Sequence, residues 1–178
     1  MTTPRIPPGG LRELGPINWA FATVAAKAIG VQNAHIFSTL GRSRGLFRAW
    51  LYFSARQMPF GTLSRKDSEM VIIRVAHLRG SEYELDHHRR LGKRAGLSGD
   101  EIERILAGPD AGWGDRERAI LRAVDELVAD KDISELAWAA LRRHLDERHT
   151  IAFVLLVGQY DSLATTLHTL RVQPDTRV

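Results

Sequence analysis

The stretch from Ser64 to Gly96 constrains the fold more than any other part of this 178-residue chain. It holds two helical patterns joined at Gly80-Ser81, and both carry ionisable residues on faces that should be apolar. In the first, Ser64-x-x-Asp67 is a capping box that predicts a helix start. Met70-Val71-Ile72-Ile73 with Val75, Ala76 and Leu78 is apolar almost all round, the pattern of a buried helix. Glu69 shares a face with Ile72, Ile73 and Ala76, and a carboxylate buried there needs a partner, because an unpaired buried charge is costly. In the second, a turn of about 100° per residue gathers Glu84, Leu85, His88, Leu91, Gly92 and Ala95 on one stripe. Glu82, Asp86, Arg89, Arg90, Lys93 and Arg94 fall on the other side. The charged side faces water, so the stripe turns inward. Glu84 and His88, one helical turn apart, are then neighbours at or inside the wet-to-dry boundary. His88 is a candidate partner for Glu69, although periodicity does not place one helix against the other.

A helical period recurs along the rest of the chain. Residues 1–10 are rich in Pro and Gly and read as an extended arm of the kind that lies over a neighbouring subunit. Ile17, Phe21, Val24, Ala25 and Ala28 predict a helix ending near Gly30. A short helix from Asn33 to Leu40 carries His35, a structural histidine beside Ile36 and Phe37. Leu46, Phe47, Trp50, Leu51 and Phe53 form an aromatic helix closing near Pro59, read as core or as the wall of an apolar pocket. Ser98 and Glu101 make a second capping box, opening a helix with Ile102, Ile105 and Leu106 that stops at Gly108-Pro109. Ile120 to Val128 and Leu136 to Leu145 are amphipathic. A last helix starts at Asp146-Glu147, runs through Phe153, Leu156, Tyr160, Leu163 and Leu167, and fades near Val172. Residues 173–178 are expected to fray. No period-two strand or hairpin pair is present. The expectation is one all-α domain over 1–178, a bundle of about seven or eight helices.

Composition narrows the partners. The net charge is +4, carried mostly by Arg, with Lys only at 27, 66, 93 and 131. Basic and acidic residues alternate, as from Asp115 to Arg118, with no long basic block and no aromatic-basic interleaving, so no nucleic-acid partner is expected. The run Ile151 to Val157 is too short to span a membrane, and the apolar segment from Trp19 to Ile29 is interrupted by Lys27 and preceded by Asn18. Neither a membrane nor a signal peptide is expected. The chain has no cysteine, which excludes a disulfide framework and a Cys-based zinc site and fits a cytoplasmic protein.

Glu69, then Ser81-Glu82-Tyr83-Glu84 with His88, then Ala95-Gly96-Leu97-Ser98 resemble the signature of the carboxymuconolactone decarboxylase and alkylhydroperoxidase-D (AhpD-like) superfamily. In its peroxidase branch a Glu precedes a Cys-x-x-Cys, and a His follows the second Cys. The spacing here matches at each step: Glu69 is the upstream Glu, Ser81 and Glu84 stand at the two Cys positions, and His88 is the His. Tyr83 stands where that branch has a further His. The resemblance is strongest from Arg44 to Leu106, with an echo in Arg116-Glu117-Arg118-Ala119 and Gly158-Gln159-Tyr160. It implies an AhpD-like helical bundle, no metal, no cofactor, and assembly into trimers or hexamers. Segments 17–31 and 46–53, with their Trp and Phe residues, are consistent with subunit contacts.

The departure from the signature redirects the function. Dithiol peroxidase chemistry needs a nucleophilic thiolate and a resolving thiol, and a Ser hydroxyl has no thiolate-like state near neutral pH. Thiol-dependent peroxidase activity is therefore not expected. Glu69, Glu84 and His88 resemble the decarboxylase side of the superfamily. They are the catalytic candidates for cofactor-independent acid–base chemistry on a small anionic lactone or keto acid, with an Arg on the substrate carboxylate. Ser81 and Tyr83 are candidates for substrate contact. Two carboxyls and an imidazole in an apolar setting have their pKa values pushed apart, so that one serves as base while another serves as acid. Plainer readings stay open. Ser81-x-x-Glu84 is also a capping box, His88 reads as a hydrogen-bonded core histidine, and Glu69 as an ion pair between helices. A chain that kept the fold and lost the chemistry would be a non-catalytic scaffold or small-ligand binder. Glu84 and His88 have helical ligand spacing, with Glu69 as a third group, but the His-Glu-x-x-His zinc pattern is absent. His87 points to the charged face, and His77 lies at the edge of its stripe.

Overall fold

The computed structural model describes residues 3–177. Among these, nine α-helices and one 3-10 turn follow one another, and the only β-pairing is an isolated bridge between Val31 and Arg177. The helices are α1 (Leu11–Ile29), α2 (His35–Leu40), α3 (Gly45–Gln57), α4 (Arg65–Leu78), α5 (Glu82–Arg94), α6 (Gly99–Ala107), α7 (Asp115–Asp130), α8 (Glu135–Arg142) and α9 (Glu147–Leu170). They group into two compact units. One holds the chain up to Ser54 together with the residues from Thr166, and the other is Ala55–Thr165.

The larger unit is built around α4. Every residue from Ser68 to Ala76 is buried, and α4 packs against α5, α6 and α7. Its start is set by Ser64, whose Oγ accepts the Asp67 N–H at 3.0 Å. The Ser98–Glu101 box forms reciprocally at the start of α6, at 3.0 and 2.8 Å. Ile72, Ile73, Ile105, Ile120, Leu121, Leu141, Phe153 and Leu156 are almost wholly withdrawn from water. Each such side chain contributes about 1.5–3 kcal/mol. Arg74 is buried among them and satisfied by a bidentate pair with Asp125, at 2.6 and 2.8 Å. Its Nη1 also donates to the carbonyls of Ile105 and Leu106 at the end of α6. By length and composition α9 is apolar enough to cross a membrane, with a mean hydropathy of 1.3 over its best window. It reaches that length because Leu163, Ala164 and Leu167 extend the short run seen from Ile151 to Val157. In this chain its Phe153, Leu156 and Val157 belong to the core of the larger unit.

In the smaller unit two expectations are corrected, the packing of α3 and the state of the tail. The stripe Ile17, Phe21, Val24 of α1 is exposed, at 66%, 40% and 67%. The inward face is instead Leu14, Asn18, Ala22 and Ala26. Asn18 Nδ2 donates to the carbonyls of Gly41 and Arg44, and Gly41 allows the close approach, since a Cβ there would lie 3.1 Å from Leu14 Cγ. In α3, Phe47 is buried while Leu46 and Tyr52 are exposed. The aromatic side chains meet instead as a ring cluster of Phe21, Phe37, Phe47 and Trp50. Finally, residues 173–177 are tied down rather than frayed. The His35 N–H donates to Asp175 Oδ1 at 2.9 Å, His35 Nδ1 donates to the Gln173 carbonyl at 3.0 Å, and the Gln32 N–H to Thr176. The arm bonds to its own chain at Arg5 and Gly9, which donate to Leu170 and Ser38. Met1, Thr2 and Val178 lie outside the described residues.

Candidate functional site

The site is assembled where α5 crosses α4. Gly92 makes the crossing close: a Cβ there would lie 3.0 Å from Ile73 Cδ1 and 3.8 Å from Glu69 Cβ. At that level His88 Nδ1 meets Glu69 Oε2 at 2.7 Å, with Glu69 fully buried and His88 nearly so. The other oxygen of Glu69 accepts Arg65 Nη2 at 3.1 Å, one turn earlier on α4. The Arg65 side chain is 41% exposed, so it connects the buried carboxylate to the surface. A hydrogen bond from Nδ1–H to a carboxylate fixes the tautomer of His88 and leaves Nε2 as the nitrogen that can exchange a proton.

Glu84 stands one turn before His88 on α5. It is 3% exposed, and no donor meets either of its oxygens with hydrogen-bond geometry. Burial pushes its carboxyl up to about 7, and the nearby Ser81 hydroxyl offsets that only in part. The helix-cap reading of Ser81 and Glu84 is not what forms. Ser81 occupies the cap position without a side-chain bond to the helix, and its own N–H donates to the Ala76 carbonyl at 2.8 Å after the turn at Gly80. The helix start therefore has no use for the Glu84 carboxyl, in contrast to Glu101 at α6.

Two further residues join the site that the sequence does not mark as site residues, although Tyr160 lies in the echo of the family signature. Tyr160 of α9 sets its ring edge-on to His88, with centroids 5.2 Å apart. Although Tyr160 is only half-buried as a residue, burial and then the carboxylates of Glu69 and Glu84 hold its hydroxyl strongly in the protonated form, with Arg65 opposing. Arg65 was findable from its four-residue spacing to Glu69. Tyr160 was masked by its place in an apolar stripe. Of the other candidates, Ser81 is half-buried, and Tyr83 is buried with its ring against His87, 4.9 Å between centroids. His77 is exposed in the last turn of α4. Among the described residues no three His, Asp or Glu side chains converge as metal ligands would. Two surface clefts of the same unit, about 460 and 520 Å³, are lined by residues of α7–α8 and of the starts of α4, α6 and α7, and include none of the site residues.

The arrangement offers an imidazole oriented by a buried carboxylate, a second carboxyl poised near neutrality, a phenol, and a half-exposed guanidinium. Residues 44–126 match the carboxymuconolactone decarboxylase family. No curated protein matches the chain. Among solved structures it is similar to an uncharacterized peroxidase-related protein with an alkylhydroperoxidase AhpD core from Ralstonia eutropha. That match has a TM-score of 0.82 and 18% identity, covering 98% of this chain and 93% of that one. A peroxidase-related protein from a Silicibacter species follows, with a TM-score of 0.80, 16% identity, and coverage of 98% and 95%. The debrominase Bmp8 is also similar, in a cysteine-to-alanine variant complexed with 2,3,4-tribromopyrrole, with a TM-score of 0.78, 15% identity, and coverage of 97% and 92%. At these identities the likeness is one of fold.

Proposed function

Because residues 44–126 match the carboxymuconolactone decarboxylase family, we propose that the chain is a cofactor-independent acid–base enzyme acting on a small anionic lactone or keto acid. The observation that carries this reading is the buried 2.7 Å bond between His88 and Glu69, one turn from a carboxyl held near neutrality. Such a set supplies a base and an acid at the same pH. His88 Nε2 exchanges the proton with the substrate, and Glu69 holds the ring. In a decarboxylation the bond to the substrate carboxylate breaks and its electron pair moves into an adjacent carbonyl as an enolate. Carbon dioxide leaves, and the carbon takes a proton from Glu84 or from doubly protonated His88, which solvent then restores. The complex of Bmp8 with a small ring supports the capacity of this fold to hold such a molecule. A thiol-peroxidase cycle has no nucleophile in a chain without cysteine.

We further infer that copies of the chain associate, as the exposed Ile17 and Val24 of α1 suggest, with trimers or hexamers as the proposed assemblies.

The test is turnover of a panel of lactones and keto acids by the wild type, Glu69→Gln, Glu84→Gln and His88→Ala, with hydrogen peroxide reduction as the negative arm. A fall of about 100-fold or more in kcat for His88→Ala supports the assignment. Equal turnover by His88→Ala and wild type, or peroxide reduction by the pure protein, overturns it. A wild type that binds panel compounds without turning them over favours the small-ligand-binding reading.

A further inference from the structure

Glu69 fixes one point of the His88 imidazole. Its bond to Nδ1 leaves the ring able to rock about the Cβ–Cγ torsion, which is broad in side chains of this type. An imidazole that passes protons through Nε2 needs that nitrogen aimed in one direction, since a misplacement of about 1 Å can cost about 100-fold in rate. A second restraint on the ring comes from α9. Tyr160 stands edge-on to His88, with centroids 5.2 Å apart and planes at 88°, the arrangement that aromatic pairs favour. The part of Tyr160 suited to a role here is the ring. Burial and then the carboxylates of Glu69 and Glu84 hold its hydroxyl strongly protonated, which makes it a poorer acid than an ordinary phenol.

The ring is in turn held from the next residue along α9. Asp161 lies between two cations that come from the ends of two different helices. Its Oδ1 is 2.6 Å from Nε of Arg79, the C-cap of α4, as an ion pair without the alignment of a hydrogen bond. Its Oδ2 accepts Nζ of Lys131, the C-cap of α7, at 3.0 Å. One turn later Thr165 Oγ1 accepts Arg79 Nη2 at 3.3 Å and donates to the Asp161 carbonyl at 3.0 Å. Adjacent residues of a helix point about 100° apart, so fixing Asp161 against α4 and α7 also fixes the direction of Tyr160.

We propose that Tyr160 is a positioning residue for His88. Its ring, kept in register by Asp161 between Arg79 and Lys131, stops the imidazole from rocking on its bond to Glu69 and so presents Nε2 in one direction. This rests on the acid–base reading of the same site, but its first consequence, one fixed state of the His88 ring, is measurable without a substrate.

The experiment is nuclear magnetic resonance of the full chain with isotopically labelled histidine, the His88 signals being assigned by their loss in His88→Ala, alongside turnover of the lactone and keto-acid panel. The wild type should show one His88 tautomer, protonated on Nδ1, with a slowly exchanging Nδ1–H. Tyr160→Leu and Tyr160→Met remove the ring. They should mix the tautomers or broaden that signal, and lower kcat about tenfold or more with KM within about threefold. Tyr160→Phe keeps the ring and should recover the signal and most of kcat. Asp161→Asn should disturb the signal without touching the site. Circular dichroism checks that each variant is folded. A wild-type signal in folded Tyr160→Leu and Tyr160→Met, mixed tautomers in the wild type, or an equal loss in Tyr160→Phe overturns the proposal. An unchanged signal in Asp161→Asn overturns the part assigned to Asp161. A disturbed signal in a protein that turns over nothing keeps the positioning role and removes catalysis, whereas turnover that needs His88 but not the ring keeps catalysis and removes the role.

Discussion

His88 Nδ1 lies 2.7 Å from Glu69 Oε2, and this bond joins α5 to α4 at a level where neither partner has bulk water to fall back on. Removing one member of a buried pair strands the other, typically at a cost of about 3–5 kcal/mol. Glu69→Ala should therefore lower stability by about 3 kcal/mol, or roughly 6–12 °C in Tm for a chain of this length. Glu69→Gln keeps an acceptor for Nδ1–H and should lose less. Thermal unfolding of both variants measures the difference. If Gln costs as much as Ala, the charge of Glu69 rather than its shape holds the crossing.

Glu84 gives a stability signature whose sign is opposite to that of most carboxylates. Its pKa is raised from the model-compound value of 4.5 to about 7 by burial. The folded state therefore holds the proton more tightly than the unfolded chain does between those two values. Its contribution is fully present below about pH 4.5 and is lost as pH rises through about 7. Between pH 5 and pH 8 the loss should be roughly 2–3 kcal/mol. Asp67 acts the other way at lower pH: burial raises its pKa, but the bonds from Arg116 and Ser64 and the charges of Arg116 and Lys66 together outweigh that and hold it down. The difference between wild type and Glu84→Gln isolates Glu84. Urea midpoints at the two pH values read it, and parallel curves for the two proteins would mean that Glu84 is not desolvated.

Arg74 is the natural control, since it is buried and charged but remote from the proton chemistry. Its fork meets Asp125 and two carbonyls at the end of α6. Arg74→Met should cost about 3–5 kcal/mol by stranding Asp125. Arg74→Lys should recover little, because an ammonium cannot span all four acceptors. Urea unfolding checks both. The Glu84-dependent pH effect should persist in the lysine variant, which separates global loss of stability from damage to the site.

The sequence made the larger unit legible and the smaller one much less so, and the reason is physical. In α4 the apolar pattern is wide enough that any rotation buries it, so Glu69 had to be inside. In α5 the charged side is so dense that only one orientation is possible, which placed Glu84 and His88 inward. Neither pattern carries the distance between helices, which depends on Gly92 lacking a side chain. In α1 two apolar stripes compete. The bulkier one, with Ile17, Phe21 and Val24, suggests the core by hydrophobicity. The other faces inward because Leu14 and Asn18 meet Gly41 closely, and Asn18 there finds its two carbonyl acceptors. The tail's own residues suggest fraying because its anchors, His35 and Gln32, lie far away in sequence.

That exposed stripe gives the last prediction. Ile17 and Val24 stand two turns apart on the outer face of α1, each about two-thirds exposed. Burying a side chain of this size is worth about 1.5–3 kcal/mol, and soluble monomers seldom leave such residues contiguous. A second copy of the chain covering the stripe would gain that energy at both residues. Native mass measurement of the wild type at micromolar concentration should therefore give a multiple of 19.9 kDa. Replacing both residues, Ile17→Glu with Val24→Glu, should reduce the mass to that of a single chain. Helix content should be unchanged, because neither side chain supports the inward face of α1. A wild type that runs as a single chain would remove α1 as an interface. A double variant that stays assembled would move the interface elsewhere, to exposed residues such as Leu46 and Tyr52 of α3.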